Sequence, residues 1–334
     1  MKWRSSVYNS NFKNFGSVLL PVLGVGVVIL LMGKSASSGY QTALVSTACI
    51  NIITLAGLNF ICGYGGQLAL GQASFVGVGA YVTVILASDY HFSSMNALLI
   101  SPLISGILAL IVGIPSLRLR GLCFAVATLA FGVIFHQVLL QGGASTGGPD
   151  GRVAVLEPLS AFGIQIISNE QKMYFNAGVA LLALLIMGLL MKTWFGIGLQ
   201  AANVSEPASS SISISVFRSR LAAFVLSGMF AGIAGSLFSF QTMYISPSSF
   251  TLMGSVDLFM VLFFGGLGTF IGPVIAAAIL YSFSRWLAAF PEIQPFLLAG
   301  VFIITLRSFP LGVGGYMKLY QHRQKIAKAH TGKA

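Results

Sequence analysis

Among the polar side chains inside the apolar runs of this sequence, six stand out as starting points for any chemistry the chain performs: Asn59, Gln67, Gln72, His136, Gln137 and Asp257. Polar groups are costly to hold inside a membrane span, so each is a functional candidate by default. Their types do not converge on a reaction. The sequence contains no His-Glu-x-x-His, no Gly-x-Ser-x-Gly and no clustered carboxylate pair, which removes the usual hydrolase readings. Gly33-Lys34-Ser35 ends like a phosphate-binding loop, yet that motif's first glycine would fall at Val28, and no nucleotide domain surrounds it. We expect no catalytic residue, no metal ligand and no directly bound cofactor, and read the chain as a non-enzyme.

What remains for these residues is recognition or support. Asn59 and Gln72 flank a run unusually rich in glycine and amides, Gly63-Tyr-Gly-Gly-Gln-Leu-Ala-Leu-Gly-Gln72. A helix break at membrane depth is tolerated only against protein or a water-lined cavity. The two amides can therefore satisfy freed backbone groups or hydrogen-bond a passing zwitterion; the first reading leads, because freed backbone needs partners first. Gln67 lies inside the same break. Asp257, near the start of the apolar run 256–264, reads as a helix-capping carboxylate, or a partner for a basic group, ahead of a solute contact. Asn59, Gln67, Gln72 and Asp257 are the candidate solute-pathway residues. His136 is a lone membrane histidine, expected to hydrogen-bond a neighbour. Cys49, Cys62 and Cys123 have neither metal-ligand spacing nor a readable pairing and are expected to act as small hydrophobes.

The elements that must hold these residues follow from composition. Of 334 residues 56% are hydrophobic and 7% charged, far below the roughly 25% charged content of soluble domains. Apolar runs at 17–33, 41–62, 67–87, 96–114, 121–141, 172–191, 219–241, 252–266, 271–289 and 294–308 predict about ten membrane-spanning helices, an all-α integral membrane protein. They are continuous rather than alternating, so a barrel is excluded. A cytoplasmic N-terminus places 14 of the 18 basic residues on the inner side, leaving Lys34, Arg152, Lys172 and Arg285 outside. The positive-inside rule then fixes both termini in the cytoplasm. Residues 1–34 superficially fit a signal peptide, but 17–33 is long for one, so an uncleaved first helix is preferred.

This topology yields a cytoplasmic segment 1–16, a transmembrane domain 17–308 and a basic cytoplasmic tail 309–334, suited to resting on anionic lipid headgroups. Its one long external loop is 142–171. Its one long internal loop, 192–218, has room for a short helix around Pro207. The net charge of +11 is spread over membrane-flanking segments, so nucleic acid is not an expected partner. Small residues recur every fourth position at Gly65, Ala69, Ala73 and Gly77, and again at Gly228, Gly232 and Ser236 beside Ser227, Ala231, Gly235 and Ser239. Both patterns predict close helix packing.

The blocks Gly57-Leu58-Asn59, Gly-Tyr-Gly-Gly-Gln-Leu-Ala-Leu-Gly-Gln-Ala-Ser-Phe, Leu117-Arg-Leu-Arg-Gly121, Ala127-Thr-Leu-Ala-Phe-Gly132, Thr146-Gly-Gly148, Ile245-Ser-Pro247 and Gly265-Gly-Leu-Gly268 with Gly272-Pro273 occur in one order. Together they resemble the integral permeases of branched-chain amino acid ABC importers, the second of the two paired types; urea-import permeases are similar. The resemblance covers about residues 50–308. It implies a type II-like importer permease fold in a bacterial inner membrane, a second permease subunit, two cytoplasmic ATPase subunits that use the ATP, and an external solute-binding protein. It also implies that 192–218 couples to an ATPase through Gln200, Asn203, Glu206 and Arg218. Two departures stand out: Gln72 replaces the family's usual histidine, and Gln200, Asn203, Val204 and Ser205 replace a charge-rich stretch.

A secondary transporter would show paired broken helices in two halves, and only one break is present, near 63–72. A membrane-embedded enzyme would need converging reactive groups. The orientation is directly testable. Single cysteines placed at Ser145 and Ser210 should react with impermeant thiol reagents from opposite sides of the membrane, and labelling of both from one side would overturn the topology.

Overall fold

The computed structural model describes residues 21–27, 29, 39–119, 121–161, 164–211, 215–286, 296 and 300. The expected spans 17–33 and 294–308 fall largely outside these residues, as do the end of 271–289 and both terminal segments. Among the described residues the chain forms helices α1 (Gly39–Leu58), α2 (Gln72–Ser88), α3 (Ser94–Ser116), α4 (Leu122–Gln141) and α5 (Asn169–Leu190). After a connection come α6 (Trp194–Val204), α7 (Glu206–Ser211), α8 (Val216–Thr242), α9 (Leu252–Gly265) and α10 (Gly272–Trp286). Among the described residues five runs are long and apolar enough to cross a bilayer: α1 with the turn that extends it, α3, α4, α5 and α8; α2 and α9 are shorter apolar helices.

Several helix starts are set by local chemistry. Ser93 accepts from the Asn96 N–H at the head of α3, Ser168 and Gln171 form a capping box on α5, and Thr251 accepts from the Gly254 N–H on α9. Each satisfies donors that a helix start leaves unpaired.

Helix α8 is the axis of the bundle, packing against α1, α2, α3 and α6. Its small residues make this possible. A Cβ on Gly235 would overlap the Val76 carbonyl oxygen, one on Gly232 would press on Pro102 and Ser105, and one on Gly228 would strike Ala109. Hydroxyls bridge the gaps: Ser101 Oγ donates to the carbonyls of Gly79 and Gly232 at 2.9 and 3.3 Å, and Thr83 and Ser236 hydroxyls meet at 2.7 Å. The packing face expected on this helix is present, with Ser227, Gly228, Ala231, Gly232, Gly235, Ser236 and Ser239 all buried. The aromatic layer of Phe60, Phe75, Phe124, Phe224 and Phe230 fills the space around it by edge-on contacts.

Two expectations need correction. The span 67–87 begins only at Gln72, because residues 65–71 are not helical. The four-residue repeat at Gly65, Ala69, Ala73 and Gly77 is therefore no continuous stripe; the close approach to α8 is made by Gly79 and by the backbone of Val76 and Ala80.

Segments 142–168 and 192–215 lie at opposite ends of α5. The first is not a plain loop. Strand β1 (Arg152–Val153) pairs antiparallel with β4 (Tyr244–Ile245), with Arg152 opposite Ile245, and β2 (Leu159–Ala161) pairs with β3 (Ile164–Ile166). Arg152 holds the end of α2 through an ion pair with Asp89 and also donates to the Ser145 carbonyl at 3.1 Å. Hydrogen bonding from that guanidinium keeps the Asp89 carboxyl below the usual carboxylate range. Ser94 Oγ donates to the Glu157 carbonyl at 2.6 Å, fixing the rest of the segment to α3.

The α8 packing makes a contrast prediction. Gly235→Ala places a methyl against backbone that cannot move aside and should cost roughly 1–3 kcal/mol, whereas Gly178→Ala, with open space around it, should be neutral. The monodisperse fraction on size-exclusion chromatography in mild detergent reads the difference, and equal yields would refute the close approach.

Candidate functional site

The feature the sequence marks most strongly is the break between α1 and α2. At Asn59 the α1 helix widens into a π-helical turn, Asn59–Tyr64, a distortion frequent at functional sites. Gly66 then takes a left-handed conformation (φ 66°), and the chain returns into the bundle without helical hydrogen bonds. Here the backbone needs outside partners. Gln67 N–H donates to the Ile61 carbonyl at 3.0 Å. Ala69 N–H donates to Cys62 Sγ at 3.3 Å and Leu70 N–H to Thr128 Oγ1 at 3.0 Å. Ala73 N–H, in the first turn of α2, donates to Ser255 Oγ at 3.0 Å.

Asn59 and Gln72 flank this stretch, and both side chains bond groups outside it. Asn59 is fully buried; its Nδ2 donates to the Thr269 carbonyl at 2.8 Å and its Oδ1 accepts the Gly268 N–H at 2.9 Å. One amide thereby fixes the tight 266–271 turn between α9 and α10. Gln72 Oε1 accepts from Ser227 Oγ at 3.0 Å, while its Nε2 donates to the carbonyls of Thr54 and Ser227 at 3.4 and 3.3 Å. It ties the start of α2 to α1 and α8 at once. Gln67 is buried within the break.

Asp257 stands apart from this cluster. It lies five residues into α9, whose cap is Thr251, so the capping role expected for it is not what the structure shows; the carboxylate is exposed. His136 is half-buried on α4, its Nδ1 without a hydrogen-bond partner among the described residues, which corrects the expectation that it bonds a neighbour; Gln137 is exposed. Cys49 is buried and Cys123 exposed, while Cys62 is an acceptor in the break and thus more than a filler.

At the end of the molecule where the break turns, the segment 192–218 supplies α6 and α7, matching the expected short helix. The coupling candidates divide. Gln200 and Arg218 are exposed. Asn203 Nδ2 reaches within 3.5 Å of the Gly63 carbonyl, and a Cβ on Gly66 would overlap its amide. Glu206 pairs with Arg220 at 2.6 Å rather than with Arg218, and Arg220 is the more buried of the two. Sequence reasoning missed the exposed apolar residues of α6: Trp194 (72% exposed), Ile197 (43%) and Val204 (88%). Their spacing of three and seven, close to whole helical turns, was legible once the helix was allowed to start at Trp194. The acceptors Thr128 and Ser255 were also missed, since nothing local distinguishes them from other membrane serines and threonines.

Comparison with known proteins adds a second kind of observation. A family model described as the branched-chain amino acid transport system permease component matches residues 40–306. The high-affinity branched-chain amino acid transport system permease protein LivM of Salmonella typhimurium is 31% identical over 79% of this chain and 67% of its own length. Its counterpart from Escherichia coli is 30% identical over 81% of this chain and 71% of its own. The nucleoside ABC transporter permease protein NupC of Lactococcus lactis is 24% identical over 52% of this chain and 59% of its own. No solved structure matches.

The hydrogen bonds make Asn59 a support for the 266–271 turn. Asn59→Leu leaves a buried N–H and a buried carbonyl unmade at about 1–3 kcal/mol each, so it should lower the yield of intact protein and its melting temperature in detergent. Wild-type stability combined with lost transport would instead place Asn59 on the solute path.

Proposed function

The chain belongs to the branched-chain amino acid transport permease family, and from that premise we propose that it is the membrane-spanning subunit that carries aliphatic amino acids through an ATP-driven importer in a bacterial inner membrane. It works with a second permease subunit, two cytoplasmic ATPase subunits that bind and hydrolyse the ATP, and an external solute-binding protein. It spans the bilayer about ten times with both termini in the cytoplasm, so that 192–218 faces the ATPase and 142–171 the binding protein. The asymmetry of basic residues supports this orientation.

The observation that carries the reading is α6. A short helix beside the break exposes Trp194, Ile197 and Val204, an apolar face that the described residues leave uncovered. On a cytoplasmic surface it is suited to a cleft on an ATPase. The charge-poor stretch Gln200, Asn203, Val204, Ser205 fits the same mode, in which shape and apolar burial replace a broad electrostatic match. Gln200 and Arg218 add polar contacts at its edge, and Asn203 links α6 to the break. Asn59 fixes the 266–271 turn, the Gln67 backbone N–H closes the break onto the Ile61 carbonyl, Gln72 ties α2 to α1 and α8, and Asp257 is left as the exposed carboxylate of α9.

The test is ATP hydrolysis by the reconstituted complex, stimulated by leucine-loaded binding protein. Val204→Asp should abolish most of the stimulation. Glu206→Ala should only weaken it, because a partly exposed ion pair is worth about 0–1 kcal/mol. Full stimulation with Val204→Asp would remove α6 from the coupling surface, and a wild-type complex that imports no aliphatic amino acid would refute the function.

A further inference from the structure

Asn51 lies at the midpoint of the 26-residue apolar run Gly39–Tyr64, about 20 Å from either end at 1.5 Å per residue. That is the depth at which an unpaired amide is most expensive. Asn59, Gln72, Asn176 and Gln241 are all hydrogen-bonded within the protein. Asn51 has no hydrogen-bond partner among the described residues, and it is half-buried rather than turned to the outside.

It lines a cleft of about 180 Å³ between α1, the first turns of α2, α8 and the start of α9. The wall is mostly apolar, built from Ile50, Val76, Phe238 and Leu258, with Thr54 and Ser249 as the other polar residues. Asp257 is not part of the lining. A water molecule's share of liquid volume is about 30 Å³, so the cleft holds a small solute. An apolar wall with few polar groups is the usual make-up of a small-molecule site. A carboxamide is suited to a zwitterion, since its oxygen accepts from an ammonium and its NH₂ donates to a carboxylate.

We propose that this cleft is a station on the solute path, where Asn51 hydrogen-bonds the charged end of an aliphatic amino acid while Val76 and Leu258 bound its side chain and set its size. The proposal rests on the amino acid import reading above and names the residues that read the solute. It gives a role to an amide at this depth that has no hydrogen-bond partner among the described residues. Asn51 was overlooked in the sequence because it stands in an unbroken apolar run, away from the glycine-rich segment that drew attention to Asn59 and Gln72.

The experiment uses the complete transporter in liposomes, comparing uptake of leucine and of alanine at saturating binding protein with ATP hydrolysis in the same vesicles. Asn51→Leu removes the amide at similar volume. It should lower leucine uptake per complex roughly tenfold or more, the value of a hydrogen bond to a charged group, while complex yield and stimulated ATP hydrolysis stay within about twofold. Val76→Ala should change the ratio of leucine to alanine uptake without disturbing assembly. Unchanged uptake in Asn51→Leu together with an unchanged ratio in Val76→Ala would overturn the proposal. Loss of the assembled complex in Asn51→Leu would also overturn it, since the amide would then be a contact between subunits. A wild-type complex that imports a different class of solute refutes the functional reading instead, and the uptake of that solute by Asn51→Leu still decides whether the cleft lies on its path.

Discussion

Backbone that leaves its helix inside a membrane bundle must find hydrogen bonds from its neighbours, and much of the internal architecture here answers to that constraint. Residues 65–71 leave the α1 helix and return toward α2 without forming one. Their amide groups are met by a thiol from the π-turn, a hydroxyl from α4 and a carbonyl of the preceding turn, and the first turn of α2 is met by a hydroxyl from α9. Three elements, the π-turn, α4 and α9, are thus committed to one short stretch of chain. Substituting any of these polar side chains by an apolar one takes the partner from a backbone donor, so sites that look like minor membrane serines and threonines carry structural weight.

The second requirement is proximity, and glycine supplies it. Side-chain hydroxyls reach a neighbouring helix only when the backbones nearly touch. The contacts of α8 with α2 and α3 depend on Gly228, Gly232 and Gly235 for that reason. Small residues and short hydroxyl bridges work as one device: the glycine admits the neighbour, and Ser101, Thr83 or Ser236 bonds it. Dispersion from the phenylalanine layer then fills the remaining volume.

Much of this was legible in the sequence because helix length and apolarity are written locally. The runs 41–62, 96–114, 121–141, 172–191 and 219–241 each correspond to a helix within a few residues at either end. What was not legible depends on partners. The repeat Gly65, Ala69, Ala73, Gly77 imitates a helical face, yet the left-handed turn at Gly66 and the acceptors around 69–73 favour an extended path, and those acceptors come from residues up to 182 positions away. Strands β1 and β4 have two residues each and no periodicity to read. For Asn59 and Gln72 the residue type pointed to backbone partners; only the fold showed that these lie in the 266–271 turn, α1 and α8 rather than in the break, and that the Ser227 hydroxyl is among them.

The break also joins the two regions to which function has been attributed. Asn203 of α6 packs into the Gly63–Gly66 turn, the same π-turn holds the 266–271 turn through Asn59, and that turn begins where α9 ends. The start of α9 in turn lines the cleft beside Asn51. These joints have little slack. A Cβ on Gly63 would overlap both Asn59 and Gly268, and one on Gly66 would overlap Asn203, so a shift of α6 toward the bundle has no empty volume at the break into which it can be absorbed. Packed interiors respond to such a push by moving to another discrete arrangement rather than by compressing. A helix break held by hydrogen bonds from the π-turn and α4 and packed against α6 and the 266–271 turn is therefore compatible with motion only as a unit, and the elements that would move with it are α6, the 266–271 turn and α9.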